Sequence, residues 1–327
     1  MPDDRYIGAI DLGGTKILSI VVMASSMGVV SSDQRPTHGS AGDNGAEPVI
    51  ERMVASIQDA AGARTLAGVG ISSPGPLNPF TGVVSSASNL PGWRNVNVTK
   101  LMSEALGVPC WLEHDAKAAA IAEHRLGAGR GVKNLVLLAL GTGIGAGLIL
   151  DGRVYRGASG AAGEIGHTRI VDDGPKCSCG RTGCLEALAS GWSLARDAAA
   201  IVAREPDGIL ARMSRDQDGP PSAKTLEAAA ADGDASAAKA INDAGRHLGA
   251  GLVNVVNIFN PEVIAISGNL RKLEGYLDVA KDIVAKEAFR QAFGDVRIVE
   301  TEVGDDASAL GAALVAADGL DGKRGRA

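Results

Sequence analysis

Tyr6-Ile-Gly-Ala-Ile-Asp11-Leu-Gly-Gly-Thr-Lys16-Ile-Leu-Ser-Ile-Val-Val22 reads as an apolar strand, a turn at Gly13 and Gly14, and a second apolar strand. Residues 134–155 repeat the design: Leu-Val-Leu-Leu-Ala-Leu, the turn Gly141-Thr-Gly-Ile-Gly145, then Ala-Gly-Leu-Ile-Leu and, past Asp-Gly, Arg-Val-Tyr. A glycine turn that recurs in the same setting predicts two similar α/β halves facing one another. Between the turns, 48–61 carries helical spacing, 68–72 is a short apolar strand, and 115–126 is an alanine-rich helix. Beyond them, 187–205 and 224–258 read as helices joined by a polar loop over 204–223. A buried strand at 263–266 ends at Ser267-Gly268-Asn269. A helix over 273–292, a strand over 296–301 and a closing helix over 307–317 follow, with 318–327 as a frayed tail.

Each turn offers backbone N–H groups that glycine leaves open to a polyanion. The first adds the hydroxyl of Thr15, the ammonium of Lys16 and, in Asp11, a carboxylate able to orient a hydrated Mg²⁺. An ordinary hairpin turn would also explain Gly13-Gly14. Gly141-Thr142-Gly143-Ile-Gly145 strengthens the phosphate reading. It is not a P-loop, since no Gly-Lys-Ser/Thr end follows, and not a dinucleotide fingerprint, since a strand and not a helix comes next. Two such hairpins would hold the β- and γ-phosphates of a nucleotide.

Three of the four cysteines, Cys177, Cys179 and Cys184, fall in Cys-Ser-Cys-Gly-Arg-Thr-Gly-Cys, with His167 ten positions upstream of the first. One imidazole and three thiolates suit a closed tetrahedral Zn²⁺ site that supports structure and activates no water. The other reading is free thiols or a disulfide, although Cys177 and Cys179 are too close to bridge comfortably and nothing points to an oxidising compartment. Glu164 and Glu186 flank the ligands, so the metal would pin two carboxylates. Cys110, in Val-Pro-Cys-Trp-Leu, reads as a small buried apolar residue.

Glu113-His114-Asp115 opens the helix over 116–126. Asp115 stands at an N-cap position, which capping alone would explain. The functional reading makes it the acceptor of a substrate hydroxyl proton: a weak base held ionised by the helix N-terminus, which phosphoryl transfer tolerates.

At 327 residues and 45% hydrophobic, the chain can build two domains around a sizeable core, but aromatics are only 3%, so Ala, Val, Leu and Ile must fill it. A net charge of −6 argues against a nucleic-acid surface. Met-Pro-Asp-Asp-Arg-Tyr has neither a basic nor an apolar leader region, and the apolar runs are too broken to span a bilayer. A soluble, cytoplasmic protein that binds neither nucleic acid nor membrane is expected.

Asp11-Leu-Gly-Gly-Thr-Lys, Asn89-Leu-Pro-Gly-Trp93, Glu113-His-Asp115, Gly141-Thr-Gly-Ile-Gly, Gly163-Glu-Ile-Gly-His167 and the cysteine loop through Glu186 occur in the order seen in the ROK family of repressors and sugar kinases. The resemblance runs over nearly the whole chain and is strongest to the glucokinase members; the histidine-plus-cysteine signature is its most specific part. It implies the actin-like ATPase (ribonuclease H-like) fold: two α/β lobes with a cleft between them, closing on sugar, and a structural zinc loop over 167–184. The small lobe is expected over 1–115, closed by a helix over 307–327, and the large lobe over 116–306. It also implies ATP and Mg²⁺ as cosubstrates, Zn²⁺ as a structural metal, transfer to the 6-hydroxyl of a hexose, and a homodimer or homotetramer. By position, Asp115 would be the base. Asn89, His114, Asp115, Glu164, His167 and Glu186 would meet the sugar, with His167 also a zinc ligand beside Cys177, Cys179 and Cys184. Asp11, Gly13, Gly14, Thr15, Lys16, Thr142 and Gly143 would hold Mg²⁺ and phosphates, and Gly268 would approach the adenosine.

Two positions depart from the family pattern. His114 stands where Asn is usual, which alters sugar preference or makes affinity depend on pH near neutrality if the ring faces the sugar; a packing histidine is the other reading. Ser267-Gly268 replaces the common Gly-Gly. Glucose is the expected substrate, with N-acetylmannosamine, N-acetylglucosamine, fructose, allose or a cyclitol as alternatives. A repressor would need a DNA-binding segment ahead of the first strand, where only five residues stand. A catalytically silent sugar sensor is the remaining class.

Overall fold

The computed structural model describes residues 4–38, 45–86, 90 and 92–323. In chain order, β1 (Tyr6–Leu12), β2 (Lys16–Met23) and β3 (Val29–Pro36) form an antiparallel run, followed by α1 (Ala46–Ala61) and β4 (Leu66–Ser73). Three two-residue strands, β5 (Leu77–Asn78), β6 (Val83–Val84) and β7 (Val96–Asn97), make a small sheet of their own. Then come α2 (Val98–Leu106), β8 (Cys110–His114), α3 (Asp115–Leu126), β9 (Leu135–Leu140), β10 (Ile144–Leu150) and β11 (Arg153–Val154). The helices α4 (Leu185–Ala189), α5 (Gly191–Arg204), α6 (Ile209–Arg215), α7 (Ala223–Ala231) and α8 (Ala235–Phe259) lead to β12 (Val263–Ser267), α9 (Tyr276–Glu287), α10 (Arg290–Phe293), β13 (Arg297–Glu300) and α11 (Ala307–Leu320).

The two five-stranded sheets have orders β3-β2-β1-β4-β8 and β11-β10-β9-β12-β13. In each, the strand before a glycine turn lies parallel to its inner neighbour, as β1 does with β4 and β9 with β12. This is the duplicated α/β arrangement of the actin-like ATPase fold. By contacts, the chain divides into two compact units, one of Met1–Gly131, Gly147–Gly163 and Glu302–Ala327, the other of Val132–Ala146 and Glu164–Thr301. The expected boundary at 115/116 does not coincide with this division, because α3 packs within the first unit. A Cβ on Gly311 of α11 would lie 1.8 Å from the Ala118 carbonyl oxygen, so α3 and α11 meet backbone to backbone. Buried Glu123 also accepts the N–H groups of Glu302 and Val303, at 3.1 and 2.7 Å, and ties α3 to the start of the last segment.

The scarcity of aromatics has a structural answer here. Alternation along β1 sends Ile10 and Leu12 toward α1 and Ile7 and Ala9 toward α11. The second interface is built from Ala309, Ala312, Ala313 and Ala316, and a Cβ on Gly70 would lie 1.8 Å from the Ala312 oxygen. Small residues bring helix and sheet close over this stretch, and further along α11 Gly319 leaves room for the Trp111 ring of β8.

Several expectations need correction. The helix over 187–205 is broken at Ser190, whose hydroxyl caps α5 by accepting Ser193 N–H at 3.2 Å. The 204–223 loop contains α6. The helix over 224–258 is two, divided where Gly233 takes φ +94° and Asp234 caps α8 by accepting the N–H groups of Ser236 and Ala237. Ala288 ends α9, so 273–292 is not one helix. The tail is ordered through α11: Asp318 receives both ends of the Arg125 guanidinium, at 2.9 and 2.6 Å, while residues 324–327 lie outside the described residues. Among the described residues, no helix is long and apolar enough to cross a membrane.

Candidate active site and metal centre

In the first unit the residues gather where β1, β4 and β8 end. Gly13 N–H donates to Lys16 O at 2.9 Å and Thr37 Oγ1 donates to Gly13 O at 2.7 Å. These bonds close the turn with Thr15 and Lys16 exposed. Asp11 pairs in register with Ser72, whose hydroxyl donates to Asp11 Oδ1 at 2.5 Å. Ser308 Oγ in turn donates to Ser72 Oγ at 2.8 Å and lies 3.5 Å from the Asp115 carbonyl oxygen. Burial pushes the Asp11 carboxyl up, the Ser72 and Ser308 hydroxyls counter it, and the negative charge of Asp115 adds to the rise. Asp115 goes the other way. Burial opposes its ionisation, but the His114 ring, the Ala116 N–H and the Lys117 cation outweigh it and hold the carboxyl below its ordinary value. Two neighbouring carboxylates are thereby shifted in opposite directions.

Asp115 is the first residue of α3 and not its N-cap, a position His114 occupies without a side-chain cap bond. Its carboxylate instead accepts the Ala116 N–H at 2.6 Å and remains 44% exposed. Asp115 thus serves a first-turn N–H from inside the helix, not from the N-cap position. His114 Nδ1 approaches Asp115 Oδ1 to 2.9 Å, off the line of a ring N–H bond, which leaves that nitrogen without an aligned partner. The opposite edge of the ring faces Gly75, where a Cβ would lie 2.9 Å from His114 Nε2. Behind both stands fully buried Glu113, which accepts the His114 N–H at 3.2 Å and Arg156 Nε at 2.7 Å. Asn89 lies outside the described residues.

In the second unit the residues gather at the end of β9. Gly141 N–H donates to Gly143 O at 3.0 Å, while Gly191 and Trp192, at the start of α5, donate to the carbonyls of Gly141 and Thr142 at 2.9 and 3.0 Å. The carbonyls are thus turned into the protein. Gly268 takes φ +86°, and a Cβ there would lie 2.1 Å from the Leu140 oxygen, so only glycine fits this close crossing at the foot of the turn. Glu186, in the first turn of α4, accepts Ile144 N–H at 3.0 Å through Oε2 and the Ser178 hydroxyl at 3.2 Å through Oε1. Glu164 is exposed, and its carbonyl accepts the His167 N–H at 3.0 Å.

His167, Cys177, Cys179 and Cys184 place their ligand atoms within 4.8 Å of one another. Cys179 and Cys184 sulfurs are 3.7 Å apart and Cys177 Sγ is 3.6 Å from His167 Nδ1. These are not disulfide distances; they match a tetrahedron about Zn²⁺, whose sulfurs stand about 3.8 Å apart for Zn–S bonds of about 2.3 Å. Burial resists ionisation of Cys179, but the Arg181 backbone N–H and guanidinium bring its thiol down to about 6. Burial and the adjacent sulfurs push Cys184 up to about 12. Sulfurs so crowded ionise together only when a cation neutralises them, and the donor set fits zinc. Cys110 stands apart, packed on the first unit's core, where burial raises its thiol to about 11.

The Glu113–Arg156 pair and the Ser72–Ser308 chain escape a reading of motifs. Their partners lie 43 and 236 residues apart, and neither carries a local pattern; the only signal was Glu113 itself, a charged residue inside an apolar strand.

A model of the ROK family matches residues 7–318. The glucokinase of Thermotoga maritima is 32% identical over 327 residues, which span 98% of this chain and 100% of that one. Among solved structures, the ROK hexokinase from Thermus thermophilus is 34% identical with a TM-score of 0.82, covering 98% of this chain and 100% of that one. The ROK family glucokinase from Streptomyces griseus, solved with glucose and AMPPNP, is 29% identical with a TM-score of 0.76 and covers 95% of this chain and 99% of that one. The chain belongs to the ROK family.

Proposed function

We propose that the protein is an ATP-dependent hexose kinase that phosphorylates the 6-hydroxyl of glucose. The observation that carries this is Asp115: a part-exposed carboxylate at the first turn of α3, held ionised, with one oxygen on the Ala116 N–H and the other open to a substrate hydroxyl. It accepts the proton of the 6-hydroxyl as that oxygen attacks the γ-phosphorus, while the bond to the β–γ bridging oxygen breaks and ADP leaves. The transition state is loose, so a weak base in the right place suffices. Gly14, Thr15, Lys16, Thr142 and Gly143 hold phosphate oxygens through N–H groups, a hydroxyl and an ammonium, while the Gly13 N–H is spent on Lys16 O and closes the turn. Mg²⁺ accompanies the nucleotide and neutralises its phosphates; Asp11 is the residue that would hold its water shell.

Asn89, Glu164, His167 and Glu186 meet the sugar hydroxyls. With His167 Nδ1 turned to Cys177, Nε2 is the nitrogen left for a hydroxyl, and the Glu186 oxygens each keep a further lone pair. His167, Cys177, Cys179 and Cys184 would hold Zn²⁺, which supplies cross-linking of the loop and no chemistry at the sugar. The test is coupled ADP release with Mg²⁺·ATP across hexoses, N-acetylhexosamines and cyclitols, beside Asp115→Ala. Turnover on glucose that the variant lacks supports the reading; no turnover on any sugar by the wild type overturns it.

His114→Asn is expected to change the ratio of kcat/KM for glucose over N-acetylmannosamine by about tenfold in favour of glucose, roughly the effect of one hydrogen bond. An unchanged profile would place the ring outside the sugar's reach. Cys179→Ser is expected to lose zinc, measured by metal content, and to weaken glucose binding at least tenfold by calorimetry. Normal glucose affinity in a metal-free variant would remove zinc from the organisation of the site.

A further inference from the structure

The peptide of Ile144, where the second glycine turn enters β10, is gripped from two sides by the metal loop. On one side its N–H donates to Glu186 Oε2 at 3.0 Å, two residues after Cys184. On the other its carbonyl abuts Gly166, one residue before His167, where a Cβ would lie 2.3 Å from Ile144 O. The Glu186 carboxylate also fills the space beside Gly143, where a Cβ would come within 2.6 Å of Oε2. Its other oxygen faces the ligand loop, taking the Ser178 hydroxyl at 3.2 Å with Cys177 Sγ at 3.9 Å. Glu186 and Gly166 thus hang from opposite ends of the ligand set and close on one residue of the turn.

We infer that the His167–Cys177–Cys179–Cys184 centre sets nucleotide affinity through the Ile144 peptide, with Glu186 and Gly166 as positioning residues. The inference rests on the kinase reading, in which Thr142 and Gly143 N–H groups meet phosphate. A turn that is competent for only part of the time binds its ligand more weakly by that fraction. Zinc draws the two ends of its loop together, which holds the grip shut and the turn in its competent shape. The metal therefore acts on the nucleotide as well as on the sugar side.

The experiment is calorimetric titration of the full-length protein with Mg²⁺·ADP in the absence of sugar, with zinc content measured on each sample. Chelator-stripped protein is expected to bind ADP about tenfold more weakly, and to recover on adding zinc. Gly166→Ala that retains its zinc is expected to weaken ADP binding by about fivefold or more. Glu186→Gln, whose amide oxygen still accepts the Ile144 N–H, is expected to stay near wild type, whereas Glu186→Ala follows Gly166→Ala. Zinc-loaded Gly166→Ala and Glu186→Ala binding ADP within twofold of wild type would overturn the inference while leaving the kinase intact. Wild type that binds no ADP would remove the kinase reading and this inference with it.

Discussion

Asp115→Asn is expected to lower kcat for glucose roughly 10²–10⁴-fold, the range for loss of a general base, or about 3–5 kcal/mol of barrier. The amide keeps the shape of the side chain and, through its oxygen, the bond from Ala116 N–H that the carboxylate accepts at 2.6 Å. The helix start is therefore preserved, and KM for both substrates should move by no more than about threefold. A fall in kcat without a matching change in KM marks an interaction made in the transition state. The pH profile adds a second readout. The Asp115 carboxyl is held below its ordinary value of 3.8, so the wild-type rate should show no acid limb from this group between pH 5 and 8. Initial rates of ADP release at saturating glucose and ATP decide the matter, and a variant within tenfold of wild type would take Asp115 out of the base role.

The hairpins, the metal loop and the start of α3 are legible in the sequence because each is local. Two apolar strands around Gly13-Gly14 or Gly141-Thr-Gly143 fix a hairpin within twenty residues, and ligand spacing fixes the cysteine loop. Helix breaks were harder to see. Ser190 ends α4 because α5 must begin where Gly191 and Trp192 can donate to the second turn, a tertiary demand with no periodic trace. Gly233 could have been read as a stop, since it is followed by Asp234 at a capping position. The exposed strand β3 shows alternation, with Ser31, Asp33 and Arg35 part-buried, but of polar residues, which a search for apolar runs passes over. Arg35 meets both Asp33 and Asp59, and Ser56 donates to Asp33, so that strand is attached to α1 by charge and hydrogen bonds. The packing of α3 against α11 leaves no trace in the sequence for a similar reason. Ala118 and Gly311 look like ordinary small residues until the helices touch through them.

Arg156→Met is expected to destabilise the protein by about 3–5 kcal/mol, because it strips a buried carboxylate of its guanidinium. The Glu113 side chain is 0% exposed and that of Arg156 9%, with Nε and Oε2 2.7 Å apart, so water cannot take the place of the lost cation. For a chain of this size the midpoint of thermal unfolding should fall by roughly 5–15 °C. Glu113→Gln combined with Arg156→Met removes both charges and should recover most of the stability, since a neutral pair carries no buried ion. Activity should not recover to the same extent. Glu113 Oε1 accepts the N–H of His114, the residue just ahead of Asp115, and the double variant holds that peptide through an uncharged amide and without the Arg156 anchor. A stable double variant with reduced kcat would separate the two roles of the pair, one in the fold and one in positioning the base. Single and double variants that melt with wild type would show that the guanidinium adds nothing to either.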